Sequence, residues 1–149
     1  MTALLYFDDI EIGRRDVCGS VTVDGDDMLA FAQKWDPLPI HVDMVVAQRA
    51  TGGLTAPGLY VLALKQRLVH AAETKAAVIA SMGYDEVRFH KPARAGDRLT
   101  LTIDWTDKRL SSSHPDRGIV THRLSLLDDS GDPVMSHFDT ILVRRRSPD

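Results

Sequence analysis

The side chains best suited to chemistry are Asp36 and His41, which lie in one short segment stiffened by Pro37 and Pro39. Each proline fixes its own φ, which lowers the entropy lost when the two side chains are held together. A carboxylate and an imidazole that converge on one point can orient a water molecule and exchange protons with it. The alternative is purely structural, since an Asp before a proline often only ends a helix and a single His is more often part of the core.

A second candidate is a backbone donor further along the chain, where Ala56-Pro57-Gly58 introduces an apolar run. The N–H groups at a helix N-terminus have no partner within the helix and carry partial positive charge. Because Gly58 has no side chain, a ligand could approach its N–H, and such a donor polarises a carbonyl as charge develops on the oxygen. The alternative is a Pro-Gly turn that simply begins a helix.

The elements that would position these residues are predicted from the spacing of apolar side chains. Residues 14–23 alternate with a period of two and predict a strand. Asp24 is placed to cap a short amphipathic helix over 26–35. Residues 37–58 form a long connection with one or two helical turns around 42–49. Irregular segments of this length inside a domain are often functional.

The longest helix is predicted over 58–73, where apolar side chains surround the first half and charged side chains enter in the second. We therefore expect the first half to be buried and the second half, from Lys65 onwards, to approach the surface. Trp35 and Trp105 lie at spacings typical of the core. Four strands are predicted after the helix, over 84–91, 98–107, 118–127 and 133–144. Short connections between strands favour an antiparallel sheet wrapped around one helix, an α+β architecture.

Length and composition narrow the class of protein. A chain of 149 residues suits a single domain, and a net charge of −3 disfavours sequence-independent binding to nucleic acid. The single cysteine, Cys18, cannot form an intramolecular disulfide, and the six histidines show no zinc-binding pattern. The N-terminal residues lack the basic and apolar stretches of a signal peptide, and no run approaches the ~20 apolar residues of a membrane span. We therefore expect a cytoplasmic protein without a membrane partner.

A longer motif contains the first two candidates, and several flanking segments accompany it. These are Asp36-x-x-Pro39-Ile40-His41-x-Asp43 and the segments 6–13, 88–97 and 115–118. With them the chain resembles, over nearly its whole length, the MaoC-type acyl dehydratases, the family of (R)-specific enoyl-CoA hydratases with the hot-dog fold. The resemblance implies one hot-dog domain over 1–149, an antiparallel sheet around a long central helix.

The resemblance also implies roles for single residues. Asp36 and His41 match the pair that activates the water added across a 2-enoyl-CoA thioester to give a 3-hydroxyacyl-CoA, a lyase reaction of fatty acid metabolism. Gly58 matches the residue whose backbone N–H binds the thioester oxygen. The family needs no metal or redox cofactor, because coenzyme A enters as part of the substrate. Asp43 is interpreted as a helix cap.

The resemblance further implies an assembly and a substrate surface. A homodimer or dimer of dimers is expected, with the substrate cleft at the subunit interface. Pro57 stands where the family commonly has His or Ser, and the stretch before Gly58 is one residue shorter, which changes the surroundings of the thioester. The substrate-binding candidates are Pro57 beside the thioester and Lys91, Arg94 and Arg117 for the phosphates of coenzyme A.

Two other functions fit the same residues. Hot-dog domains also serve as acyl-CoA thioesterases, so the fold alone does not decide the reaction. A non-catalytic protein that binds acyl thioesters is the third reading, and Pro57 with the shortened loop favours it. For any one of the basic residues, solvated surface charge is the simple alternative.

Overall fold

A five-stranded antiparallel sheet organises the chain in the computed structural model, which describes residues 3–147. The elements are β1 (Ala3–Leu5), β2 (Arg15–Thr22), α1 (Gly25–Trp35), α2 (Pro39–Val42), α3 (Met44–Thr51), α4 (Gly58–Ala71), β3 (Thr74–Ala76), β4 (Val78–Phe89), β5 (Arg98–Leu110), β6 (Arg117–Leu127) and β7 (Pro133–Arg144). The strand order is β2-β5-β6-β7-β4, and β1 pairs with β3 in a separate parallel ladder. Among residues 3–147, no helix has the length and apolar character required to cross a membrane.

The core lies between α4 and one face of the sheet. The apolar side chains that alternate along β5 are all buried: Leu99, Leu101, Ile103 and Trp105. Tyr60, Val61, Leu64 and Leu68 supply the buried stripe of α4. Burial of each large apolar side chain stabilises the fold by about 1.5–3 kcal/mol. The predicted α+β architecture, a sheet around one helix, is confirmed.

The prediction that α4 turns towards the surface from Lys65 onwards is wrong at Lys65 itself. This residue is 1% exposed. The physical reason is helical spacing, because Val61, Lys65 and Leu68 follow one another at i, i+4 and i+7 and share the buried stripe. The ammonium group donates hydrogen bonds to Tyr84 Oη at 2.9 Å and to Gln66 Oε1 at 3.1 Å. Burial lowers the pKa of Lys65 to about 8, partly opposed by the negative charge of Asp139.

Two apolar residues predicted to be in the core lie at the surface instead. Trp35 is 62% exposed at the end of α1, and Leu59 is 57% exposed in the first turn of α4. Both lie at helix ends, where the periodic pattern continues but the sheet no longer covers the side chain. The surface around the connection between α1 and α4 is therefore unusually apolar.

Strand β4 is longer and less regular than predicted. It begins at Val78 rather than near residue 84, and its pairing with β7 shifts register three times. Glu86 lies within one of these irregularities with a φ of 53°. Each extra residue reverses the side-chain alternation, so the period of two that the sequence suggests for 84–91 does not hold. Phe89, the last residue of this strand, is 52% exposed.

We expect Lys65→Met to stabilise the protein by about 1–3 kcal/mol at pH 7, because an apolar side chain of similar length removes a buried charge. The pKa of Lys65 falls from its ordinary 10.5 to about 8 on folding. The unfolded chain then binds more protons between these values, so in wild type this residue makes the free energy of unfolding rise with pH there. The advantage of the variant should therefore shrink between pH 8 and 10. Urea unfolding at both pH values measures this, with the exposed Lys34→Met as control, and a constant advantage contradicts it.

Candidate functional site

Asp36 and His41 are brought together at one point, as the sequence predicts. Oδ2 of Asp36 lies 3.7 Å from Nε2 of His41. The side chain of His41 is 9% exposed, whereas that of Asp36 is 38% exposed and faces solvent. This separation is too long for a direct hydrogen bond. A single oxygen atom could instead lie within hydrogen-bond distance of both groups.

The two prolines explain how the chain places these groups. Helix α1 ends at Trp35, and the N–H of Asp36 makes its last backbone bond, to the carbonyl of Ala32 at 2.9 Å. Pro37 prevents the helix from continuing, and Pro39 begins α2 at the first helical position, where a missing N–H costs nothing. The carboxylate therefore follows one helix while the imidazole lies within the next.

Asp43 has the capping role that was predicted. Its Oδ1 accepts hydrogen bonds from the N–H groups of Val45 at 2.9 Å and Val46 at 3.0 Å, the first turn of α3. It thus stabilises the helix that follows the catalytic candidates, and its carboxylate is used by the backbone rather than by a ligand.

Thr55 determines which nitrogen of His41 carries the proton. Nδ1 of His41 lies 2.6 Å from the carbonyl oxygen of Thr55 and 3.2 Å from the Thr55 hydroxyl. A carbonyl can only accept, so Nδ1 must donate, and the neutral ring presents its free electron pair at Nε2 towards Asp36. Thr55 is a site residue that the sequence did not indicate. It acts mainly through its backbone, and spacing carries no signal for that.

Arg94 holds the loop that contains Thr55. Its guanidinium donates to the carbonyl of Gly53 at 2.9 Å and also to the carbonyl of Thr51. Two further bonds attach the same loop: Thr55 N–H to Ile40 O at 3.2 Å, and Ala56 N–H to Ala93 O at 2.8 Å. The side chain predicted to bind coenzyme A is therefore used to fix the backbone behind His41.

Gly58 is the first residue of α4, and Pro57 is its buried N-cap. The space beside Gly58 is taken by the ring of Phe89, since a Cβ at this position would lie 2.5 Å from Phe89 Cζ. A cavity of about 300 Å³ opens here and is lined by Gly58, Phe89 and Lys91, among others. Phe89 is thus a second site residue that the sequence did not indicate, because bulges in β4 hid its direction.

Lys91 and Arg117 already have anionic partners within the chain. Nζ of Lys91 contacts Asp128 closely and lies 3.4 Å from Asp132. Hydrogen bonding to Asp128 raises the pKa of Lys91. The Nε of Arg117 lies 2.9 Å from its neighbour Asp116. A phosphate group would have to compete with these carboxylates.

Together these groups could transfer a proton next to a carbonyl group that the protein polarises. His41 supplies a buried base whose tautomer is fixed, and Asp36 supplies an accessible carboxylate. Gly58 is the first residue of α4, so its N–H has no carbonyl partner within that helix. In the part of the chain that the structure describes, no three His, Cys, Asp or Glu side chains lie close enough to hold a metal ion. Addition or removal of water next to a carbonyl fits this set of groups.

Comparison with known proteins adds a family and a fold. The sequence profile of the family described as "MaoC like domain" matches residues 12–124. The crystal structure of a MaoC-like dehydratase from Rhodospirillum rubrum superposes with a TM-score of 0.88 at 28% identity, covering 97% of this chain and 99% of that one. A conserved hypothetical protein from Mycobacterium tuberculosis with a double hot-dog fold gives a TM-score of 0.80 at 26% identity, covering 97% of this chain and 45% of that one. The predicted hot-dog fold is confirmed.

A hydratase from an archaeal species is similar to part of this chain. Mesaconyl-CoA hydratase from Haloarcula hispanica is 41% identical over 68 residues, which are 45% of this chain and 19% of that protein. The matched segment thus spans about a fifth of the length of that hydratase.

We expect Arg94→Gln to loosen the loop at 51–56, because the neutral amide cannot replace two charge-assisted bonds to the Thr51 and Gly53 carbonyls. Each such bond contributes about 1.5–3 kcal/mol, so the amide hydrogens of Thr55 and Ala56 should exchange at least about tenfold faster. Hydrogen exchange followed by mass spectrometry or NMR measures this. Arg98→Gln is the matched control, since Arg98 is exposed and lies 3.5 Å from Asp129. Equal exchange in both variants contradicts the role given to Arg94.

Proposed function

This chain belongs to the MaoC like domain family, and from that premise we propose that it is an acyl-CoA hydratase/dehydratase. The reaction is the reversible addition of water to a 2-enoyl-CoA, which gives a 3-hydroxyacyl-CoA. The observation that carries the proposal is the pair of Asp36 Oδ2 and His41 Nε2, 3.7 Å apart, with the imidazole held by Thr55.

In the proposed hydration step, the water molecule lies between Asp36 and His41. As its oxygen bonds to C3 of the enoyl group, one of its protons passes to this pair. The C2–C3 π electrons move towards the thioester, whose oxygen is stabilised by the N–H of Gly58. The pair then returns a proton to C2, so that the elements of water have been added. Dehydration follows the same steps in reverse, and neither direction uses a metal or redox cofactor.

For the substrate, Lys91 is the best supported of the proposed phosphate contacts. It lines the same cavity as Gly58, and its side chain is 39% exposed despite the contact with Asp128. Pro57 lies next to Gly58 and would adjoin the thioester. Arg94 would act on the substrate only indirectly, through the loop it holds, and Arg117 would have to leave Asp116.

We also propose that the working unit is a homodimer joined along β4. This edge strand exposes five large apolar side chains: Val78, Ile79, Met82, Tyr84 and Phe89. An uncovered edge of this kind invites pairing. Because three bulges interrupt β4, a second copy would be held mainly by the apolar side chains rather than by a long backbone ladder. Phe89 would then connect the interface to the cavity at Gly58.

We expect Asp36→Asn and His41→Ala each to lower the hydration of crotonyl-CoA, or of a longer or branched 2-enoyl-CoA, by about 10²-fold or more. Loss of enoyl absorbance measures the rate. Asp43→Asn is the matched control, because Asn also caps helices and the Asp43 side chain bonds to the N–H groups at the start of α3. Its rate should stay within about twofold of wild type.

Three results would contradict this assignment. The first is wild-type protein that hydrates no enoyl-CoA in the panel, and the second is unchanged activity in both variants. The third is release of free coenzyme A thiol from acyl-CoA, which a thiol reagent detects and which would indicate a thioesterase. Tight acyl-CoA binding without any turnover would instead favour the non-catalytic alternative.

The dimer is tested by sedimentation at micromolar concentration. We expect wild type to sediment as a dimer or a multiple of it, and the double variant Ile79→Asp/Met82→Asp to become monomeric, because buried unpaired carboxylates oppose association. Val17→Asp is the control on the opposite edge strand, β2, where Val17 is 70% exposed. A monomeric wild type, or a dimer lost equally in the control, contradicts the β4 interface.

A further inference from the structure

The cavity of about 300 Å³ that opens at Gly58 is not lined by Asp36 or His41. In the proposed reaction, the N–H of Gly58 binds the thioester oxygen, while C2 and C3 of the substrate lie at the pair of Asp36 and His41. The sulfur is the other substituent of the carbonyl carbon, so it points away from C2. The thiol arm of the substrate, rather than its acyl chain, therefore enters this cavity.

The cavity offers few polar side chains to that arm. Apart from Gly58, its lining is apolar except for His90 and Lys91. The tip of the Phe89 ring lies beside Gly58 and forms the wall next to the sulfur. Lys91 is already in contact with Asp128, whereas His90 directly follows the last residue of β4 and is exposed. His90 is thus the side chain available to bind a polar group close to the thioester.

Ser136 fixes the orientation of the His90 ring. Nε2 of His90 lies 2.7 Å from the Ser136 hydroxyl oxygen. The backbone of His90 is held as well, because its N–H donates to the carbonyl of Val134 at 2.8 Å. Ser136 is only 4% exposed, so its hydroxyl is part of the packed structure. The ring is therefore held through Nε2, and Nδ1 is the nitrogen left for a ligand.

Arg123 decides which nitrogen of His90 carries the hydrogen. Its guanidinium donates to the Ser136 hydroxyl oxygen over 3.4 Å, and an arginine can only donate. Among residues 3–147, Nε2 of His90 is the one acceptor that the Ser136 hydroxyl contacts, and buried hydroxyl hydrogens are normally paired. The neutral His90 ring then carries its own hydrogen on Nδ1, which makes Nδ1 a donor.

We propose that Nδ1–H of His90 binds the carbonyl oxygen of the first amide in the thiol arm, so that the enzyme selects thioesters that carry this amide. The inference rests on the proposed function, in which the thioester lies at Gly58. In coenzyme A and in pantetheine, only two methylene groups separate the sulfur from this amide, whereas the phosphates lie beyond a second amide. A residue that lines the same cavity as Gly58 is therefore suited to the first amide, with the methylene groups packed on Phe89.

A series of crotonyl thioesters that differ only in the thiol tests this contact. The thiols are coenzyme A, pantetheine, N-acetylcysteamine and 2-ethoxyethanethiol, the last of which has an ether in place of the amide. We expect His90→Phe to raise KM about three- to tenfold for the three amide thioesters, because one neutral hydrogen bond is lost. The change in kcat should be small, since the bond is present in the ground state and the transition state alike. For the ether thioester, KM should stay within about twofold of wild type.

A matched control and two further variants attribute the effect to this arrangement. His114→Phe is the control, because His114 is also exposed and bonded to a serine, with Nδ1 2.9 Å from Ser113 Oγ, but does not line the cavity. It should behave as wild type with every thioester. His90→Asn should recover part of the lost affinity, since its amide N–H lies near the position of Nδ1–H. In Ser136→Ala, ¹⁵N NMR of the His90 ring should show a mixture of tautomers in place of the Nδ1–H form, and thermal melting checks that all variants fold.

An equal rise in KM for the ether and amide thioesters, or no rise in His90→Phe, would overturn this inference. An unchanged tautomer in Ser136→Ala would overturn the positioning role of Ser136. Failure of the proposed function is distinguished by binding. If wild type hydrates no thioester, yet the N-acetylcysteamine thioester shifts the ¹⁵N signals of His90 and the ether thioester does not, the reaction is rejected and the contact is kept. Hydration with the same KM values in wild type and His90→Phe rejects the contact and keeps the reaction.

Discussion

The hydrogen bond from His41 Nδ1 to the carbonyl of Thr55, 2.6 Å long, is the contact on which the arrangement of the candidate site depends. It joins α2 to the loop that leads into α4, two parts of the chain that meet only after folding. It also selects the tautomer that leaves Nε2 free to face Asp36. The loop is itself held by Arg94 and by the backbone next to it, so the imidazole is positioned through several rigid supports. Such indirect support is typical of sites that must maintain a reactive geometry.

Several polar side chains lie in the core at a cost to the stability of the fold. Lys65, His122 and Asp139 occupy positions that an apolar side chain would fill more favourably, because each charge or unpaired nitrogen loses hydration on burial. The hydrogen bonds from Lys65 to Tyr84 and from Ser81 to Asp139 recover only part of that loss. Local departures from good packing are commonly found at functional positions. These three buried polar residues therefore differ in kind from the apolar core around Leu99 and Leu101.

The elements that the sequence predicts correctly share a regular pattern with local causes. Strand β5 alternates without interruption, and α1 begins at a capping Asp24 and ends before Pro37, so both follow from residues next to one another. The incorrect predictions concern how exposed a side chain is, which depends on the parts of the fold that pack against it. Trp35 has the spacing of a core residue but is 62% exposed, whereas Lys65, a residue type usually found at the surface, lies on the buried stripe of α4. The bulges that reverse β4, and the short β1–β3 ladder, leave too little periodicity to be recognised.

The sequence by itself determined the α+β class through the spacing of its apolar residues. Its motif around Asp36 and His41, with the flanking segments, indicated the family and made these two residues the candidate pair. Only the tertiary structure decided that Thr55 holds the imidazole, that Arg94 supports the loop and that Phe89 covers Gly58. It alone placed His122 beside Asp139 in a cavity, through strand pairing between β6 and β7. The reason is physical: local pattern reports the conformation of neighbours along the chain, whereas these contacts join residues that register, bulges and helix rotation bring together.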